Sequence, residues 1–312
     1  MLDKVFTTYE QQINLLIKRG MNISSDGDIT FAKEVLQKVG YYGLINGYKK
    51  PFIGDTNTED DECYKTGTTI QEIYALYEFD RTLREMFMSF ILKFETRIKS
   101  LISYSFSEIY GYDYYLKYKN FDTGKRNANK YIPELIAEIN RQIASRTNDP
   151  SIAHYLNTYG YIPLWVLTNI LTFGTMSKFY CLMKTTEKTK VSRIFNIQPH
   201  EMENYLKYLT DIRNFCAHGN RLYCYRSEKK MLNDTPYHAN LNIPTYHGKY
   251  VLGKNDLFAA VIALRILLSN NDYSRLKAKL KKSIHQASRN IKTLTKEDIL
   301  NIMGFPANWT DL

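Results

Sequence analysis

Apolar residues recur at spacings of three and four along most of the chain, a period that predicts helices rather than strands. Between Phe6 and Arg19, Ile13, Leu16 and Ile17 share one stripe, and Gly20 supplies a stop. Asp28-Ile29-Thr30 leads into Phe31, Val35, Leu36 and Val39, a second helix that ends on Gly40. Tyr41 to Phe52 reads as a short aromatic segment interrupted by Pro51. Gly54 to Gly67, with Asp55, Glu59, Asp60, Asp61 and Glu62, reads as an acidic loop. The longest signal runs from Thr69 to Ile109, where Ile73, Leu76, Leu83, Phe87, Phe90, Ile91, Phe94, Ile98 and Ile102 keep the helical period. No Pro or Gly breaks it, which predicts one long helix or two in close succession.

Tyr110 to Lys130 is rich in Tyr, Lys and Asn, carries two glycines and reads as an irregular excursion. Pro133 to Arg146 is predicted helical, and Asn148-Asp149-Pro150 marks a break. Pro163 to Met183 reads as one hydrophobic helix crossed by Gly174, with Trp165 and Phe173 expected in the core rather than around a ligand. Pro199 to His218 follows, with Met202, Tyr205, Leu206 and Leu209 on its apolar face. Asn240 to Gly253, containing Pro244 and His247-Gly248, reads as a small surface hairpin. Asp256 to Ser269 and Tyr273 to Thr293 return to helix. Thr295 to Met303 is a last short helix, capped by Thr295 and closed by Gly304 and Pro306. The fold class expected is all-α: a helical bundle with additional N-terminal helices and at most a small β-hairpin insertion. Residues 1–68 read as an N-terminal helical region and 69–312 as the main helical domain, with the Tyr/Lys-rich excursion at 110–131. The alternative is one continuous domain.

Composition narrows the function classes. The chain has 312 residues, 44% hydrophobic and 24% charged, which fits a globular protein and not a disordered one. No apolar run reaches the roughly 18 residues that span a bilayer. The stretch Met1 to Gly20 carries Asp3, Glu10, Gln11 and Gln12, unlike a signal peptide, so a cytoplasmic location with no membrane contact is expected. Cys63, Cys181, Cys216 and Cys224 are scattered, with no Cys-x-x-Cys and no His pair at zinc-ligand spacing. Free thiols, no structural metal and no cofactor are expected.

Lys and Arg number 42 against 32 Asp and Glu, a net charge of +10 that points softly to polyanions. The distribution is more telling. Arg275, Lys277, Lys279, Lys281, Lys282, Arg289, Lys292 and Lys296 follow one another with no acid between them. A solvated helix face is the plain reading, but so one-sided a charge favours RNA or another polyanion. Tyr112, Tyr114, Tyr115, Lys117 and Lys119, followed by Lys125 and Arg126, interleave rings with cations. That mixture suits single-stranded RNA, whose bases stack on rings while lysines track the backbone. The competing reading is tyrosines packed on their own helices.

The densest chemistry is Arg213-Asn214-Phe215-Cys216-Ala217-His218 at the end of a predicted helix. At 100° per residue Asn214 and His218 lie about 40° apart, one turn from each other, whereas Arg213 lies about 140° from His218. A long arginine can still swing toward the helix end that Gly219 terminates. Imidazole titrates near neutral pH and can move protons to or from a 2′-hydroxyl or a leaving oxygen. Guanidinium grips phosphate with paired donors, and the carboxamide orients the imidazole or binds phosphate oxygen. Together they suit RNA cleavage without a metal. One imidazole per chain is short of an acid and a base, and a symmetric dimer would bring a second. Phe215 and Cys216 are expected to face the interior. The competing reading of His218 is a histidine that only meets the helix dipole. No acidic or thiol partners converge on His154, His200, His238, His247 or His285 in the sequence.

Arg213 to His218, with the following Gly219-Asn220-Arg221-Leu222, resembles the signature of the HEPN ribonucleases. It is similar in particular to bacterial Abi-like proteins of the AbiD/AbiF type, which act in abortive infection. Leu36 to Phe52 (LQKVGYYGLINGYKKPF) resembles that family's Tyr-rich opening. Tyr77-Glu78-Phe79-Asp80-Arg81-Thr82-Leu83-Arg84 and Phe94-Glu95-Thr96-Arg97-Ile98-Lys99-Ser100 resemble its long-helix block, and Met303-Gly304-Phe305-Pro306-Ala307-Asn308-Trp309 its closing motif. The likeness spans about residues 10 to 310. It implies a HEPN-type helical bundle, a metal-independent endoribonuclease, and a homodimer with a composite site. It further implies a toxin-like role in phage defence, restrained by or bound to a small non-coding RNA. By motif match Arg213, Asn214 and His218 form the catalytic set. Glu95 and Lys99 resemble a supporting Glu-x3-Lys pair on the facing helix, or else make an ordinary helix salt bridge. Two other functions stay open: a catalytically inactive HEPN protein that binds RNA, and a structural helical interaction module.

Overall fold

The computed structural model describes residues 5–54 and 62–312, and the acidic residues Asp55, Glu59, Asp60 and Asp61 lie outside that description. The fold is all-α. The described residues form thirteen α-helices and one two-stranded hairpin.

Helix α1 (Tyr9–Lys18) starts on a Thr8 capping box and buries Ile13 and Leu16. Ser25 caps α2 (Asp26–Val39), which ends at Gly40. The aromatic segment continues as a π-helical stretch, Tyr42–Asn46, and a 3-10 turn, Lys50–Phe52, that accommodates Pro51. Helix α3 (Ile70–Tyr110) is one unbroken helix of 41 residues, opened by a Thr69–Glu72 capping box. With no Pro or Gly inside, nothing interrupts its hydrogen-bond ladder, and it forms the axis against which most of the other helices pack.

The excursion after α3 consists of two 3-10 turns, Tyr114–Leu116 and Tyr118–Asn120. Helix α4 (Ala128–Ala144) then begins earlier than Pro133, which sits inside it. A proline early in a helix removes only one ladder donor, so it did not have to mark the start. Pro150 is both the predicted break and the first residue of α5 (Pro150–Tyr159), capped by Asp149.

The single helix expected over Pro163 to Met183 is instead two, α6 (Leu164–Leu167) and α7 (Phe173–Leu182). Between them the Gln142 side chain accepts from the Thr172 amide at 2.9 Å, and Thr172 caps α7 through the Thr175 amide. Local polar bonds here override the apolar run. Trp165, expected in the core, is 50% exposed, because the one-turn α6 docks through Leu164, Val166 and Leu167.

Helix α8 (Thr185–Arg193) leads to α9 (Pro199–Ala217), then α10 (Pro236–Asn240) and the hairpin Thr245–Tyr246 with Lys249–Tyr250. The remaining helices are α11 (Leu257–Leu267), buried along its length, α12 (Asn270–Asn290) and α13 (Lys296–Met303). Gly304 ends α13 at φ 80°, where a Cβ would lie 2.5 Å from Asp256 Cβ. Phe305 packs on Phe258 and Trp309. The closing motif therefore seals the C-terminal helices. Buried apolar residues from Ile13 to Leu312 form one core cluster.

Candidate active site

Helices α3 and α9 run antiparallel: Glu95 faces Arg213, and eleven residues earlier Arg84 reaches the Asn220 carbonyl at 3.4 Å. This crossing brings together residues far apart in sequence. Glu95 is buried and pairs with Lys99 at 2.7 Å through Oε1. Its Oε2 faces Nε of Arg213 at 3.7 Å, too long for a hydrogen bond. Both of these buried atoms lack a hydrogen-bond partner among the described residues. The Arg213 side chain is partly exposed, so it is backed by a carboxylate and open to solvent at once.

The final hydrogen bond of α9 runs from the His218 amide to the Asn214 carbonyl at 3.0 Å. Gly219, at φ 70°, then turns the chain away, and both Asn214 and His218 are exposed. Cys216 faces the core, where burial pushes its thiol up to about 12, so it stays protonated and unreactive at neutral pH. Phe215 rests edge-on against Tyr225 at 4.9 Å. The motif thus divides: Phe215 and Cys216 pack inward, while Arg213, Asn214 and His218 reach the surface.

A second convergence lies beside it. Asp80 is fully buried; its Oδ1 accepts from the Tyr223 amide at 2.7 Å, and Oδ2 accepts from the Tyr48 hydroxyl at 2.8 Å and pairs with Arg84. Burial pushes the Asp80 carboxyl upward, opposed by Arg84 and Tyr48. One carboxylate therefore ties the Tyr-rich opening, the long helix and the chain after His218 to each other. Next to it opens a cavity of about 440 Å³ walled by Tyr42, Tyr48, Tyr77, Arg84, Asn220 and Arg221. Along α3 in the other direction, a 290 Å³ pocket is lined by Lys99, Ser100, Ser103, Trp165 and Asn169.

The other sequence candidates distribute unevenly. Tyr112 is exposed and lies tilted against Tyr161 at 4.6 Å, while its carbonyl accepts from the Leu164 amide, tying the excursion to α6 and Trp165. Tyr114 is exposed beneath the Lys117 ammonium, and Lys119 and Arg126 are exposed. Tyr115 is instead buried, its hydroxyl donating to the Ile162 carbonyl at 2.9 Å, which removes its ring from any RNA surface. Lys125 is engaged by the Cys181 carbonyl at 2.6 Å and by Glu203 at 3.3 Å. On α12, Arg275, Lys279, Lys281 and Lys282 are exposed, whereas Lys277 donates to the Leu312 carbonyl at 3.1 Å. Thr82, Met86 and Ser89 of α3 line a pocket with Lys279 and Lys282 of α12. They lie roughly half a turn around α3 from Arg84 and Glu95. The basic face of α12 is therefore not brought to His218 within one chain.

Arg84, Arg221 and Tyr42 flank the motif residues without having been assigned a role from sequence. Each looks ordinary until the tertiary fold sets it beside the α9 terminus. The glycine-punctuated run Tyr42-Gly43-Leu44-Ile45-Asn46-Gly47-Tyr48 was the available signal, since such spacing opens the backbone to close approach.

An all-helical fold with a polar, cation-lined helix terminus is the class of protein these features define. The family model described as Abi-like protein matches residues 34–224, more than half of the chain. The chain belongs to the Abi-like family. No curated protein and no solved structure matches it. The matched span contains Tyr48, Asp80, Arg84, Glu95, Arg213 and His218, so the segments that converge around the α9 terminus are those the family model covers.

Proposed function

We propose that this chain is a HEPN-type endoribonuclease of the AbiD/AbiF kind, acting as an abortive-infection effector that cleaves RNA through the 2′-hydroxyl. The observation that carries the reading is Arg213, backed by Glu95 and Lys99, beside an exposed Asn214 and His218 at the end of α9. The 2′-oxygen attacks phosphorus, the bond to the 5′-oxygen breaks, and a 2′,3′-cyclic phosphate and a 5′-hydroxyl result. One imidazole accepts the 2′-hydroxyl proton and another protonates the leaving oxygen. Arg213 offsets charge gathering on the phosphoryl oxygens, and no metal is required for any of these steps. Asn214, one turn from His218, orients the ring or binds a phosphate oxygen. Glu95 positions Arg213 and Lys99.

The second imidazole comes from a second copy of the chain in a homodimer, for which the exposed position of His218 leaves room. Exposed Tyr112, Tyr114, Lys117 and Lys119 and the bases of α12 contribute to holding RNA, either substrate or a small non-coding RNA that restrains the effector. Replacement of His218 tests the reading. Because the side chain is exposed, His218→Ala keeps the parent's circular dichroism and melting temperature. RNA cleavage and toxicity on expression should fall about 10²- to 10⁴-fold. Cleavage at the parental rate would reject the assignment.

A further inference from the structure

We propose that the cavity between the Tyr42–Asn46 stretch, α3 and the turn Gly219–Arg221 is a subsite for one nucleotide of the bound RNA, its phosphate on Arg84 and Arg221 and its base on Tyr42. The assignment of RNA as the ligand rests on the ribonuclease reading above, whereas the nucleotide chemistry rests on the cavity itself.

Charge comes first. Arg84 and Arg221 are the charged side chains of the wall, and among the described residues no carboxylate lines it. Both guanidinium groups are already held. Arg84 is only 12% exposed in its side chain and is fixed by Asp80 from behind. Arg221 donates to the Gly47 carbonyl at 2.7 Å. Two pre-positioned guanidiniums present paired donors that match a phosphate, and little side-chain freedom remains to be lost on binding.

The rings supply the rest. Tyr42 is 81% exposed, although it belongs to a segment whose neighbours Leu44 and Ile45 are fully buried. It is carried by a π-helical stretch, a conformation that recurs at functional sites because it redirects a side chain at some cost in backbone energy. An exposed ring beside fixed cations is the arrangement that stacks a nucleobase while its phosphate is gripped. The volume of about 440 Å³ falls within the range of small-ligand sites. Position gives the subsite its role: the wall begins at Gly219, one residue after His218, so a nucleotide seated here presents its neighbouring phosphodiester to that imidazole.

The test measures binding without turnover, on the full-length His218→Ala chain, by fluorescence anisotropy with a short labelled single-stranded RNA at fixed salt. Tyr42→Ala and Arg221→Ala are each expected to weaken binding by about 5- to 100-fold, the range of a lost stacking or phosphate contact. Arg221→Lys should recover part of the loss. Tyr246→Ala, which removes an exposed ring of the hairpin outside the cavity wall, should leave affinity unchanged. Melting temperatures identify any variant that lost its fold, and Tyr42, being exposed, is the variant on which the outcome turns. A nucleoside 5′-monophosphate should compete only weakly. Parental affinity in both pocket variants, or absence of RNA binding altogether, overturns the subsite. Tighter binding of the free monophosphate than of RNA also overturns it, in favour of a nucleotide-sensing pocket. Cleavage by the His218-containing parent is scored separately, so a failed subsite and a failed nuclease give different results.

Discussion

Individual side chains in this protein are placed by what surrounds them more than by their neighbours in sequence. Glu95 and Lys99, one turn apart, read as either a surface ion pair or a supporting pair; the structure buries the carboxylate and turns it toward Arg213. Cys216 sits between catalytic candidates in sequence, yet its burial makes it packing. His238 had no visible partner and is fully buried, its Nδ1 accepting from the Thr235 amide and its Nε2 donating to the Gly253 carbonyl, each at 3.0 Å. Burial lowers its pKa below 6.5, so the folded chain holds it neutral. A group depressed in this way contributes stability above its unfolded pKa and loses it as pH falls. Thermal melts taken from about pH 7.5 down to about 5.5 should therefore drop more steeply for the parent than for His238→Gln. Parallel curves would mean that the histidine titrates as freely folded as unfolded.

Elements were legible where periodicity was strong and nothing local competed with it. Helix α3 is the clearest case, since its apolar residues keep step from Ile73 to Phe106 with neither Pro nor Gly between them. Helix α8 was not legible. Thr-Thr-Glu-Lys-Thr-Lys-Val-Ser-Arg has one apolar residue, and its burial comes from tertiary bonds such as Lys188 to Glu203 at 3.0 Å and Ser105 to the Glu187 carbonyl. The break between α6 and α7 escaped for the same reason, because a glutamine side chain from α4 decides it. Asp80 shows how far such a contact can reach: it joins the Tyr48 hydroxyl, Arg84 and the Tyr223 amide across 143 residues of separation. Asp80→Ala leaves the largely buried Arg84 side chain without its carboxylate and the Tyr223 amide unbonded, and should cost about 3–5 kcal/mol. Urea titration reads that loss directly. A change below about 1 kcal/mol would show that the three segments hold together without it.

At the scale of the whole molecule, charge and site are separated. The exposed bases of α12 lie on the side of α3 away from Arg84 and Glu95, whereas the cations near His218 are few and individually braced. Under the proposed ribonuclease function, long-range attraction of RNA and its local positioning fall to different faces, and RNA affinity should fall steeply with salt. Dimerisation has a sharper signature. If each active site draws one His218 from each protomer, subunits mixed by unfolding and refolding with His218→Ala should lose activity as the square of the parental fraction. A linear decline would mean that each chain cleaves alone. The proposed dimer was legible in the sequence only as a shortage of one imidazole, and Arg84 and Arg221 were not legible as residues of the proposed subsite, because only the antiparallel crossing of α3 and α9 sets them beside the motif.

The central claim, that His218 cleaves RNA through its own 2′-hydroxyl without a metal, is tested most directly by the ends of the products. Purified protein is incubated in EDTA with a single-stranded RNA and with the same strand made entirely of 2′-deoxynucleotides. The expected result is fragments ending in 2′,3′-cyclic phosphate and 5′-hydroxyl from the RNA alone, absent with His218→Ala. Cleavage that EDTA abolishes and a divalent ion restores, or 5′-phosphate ends, or an active His218→Ala protein, would contradict it.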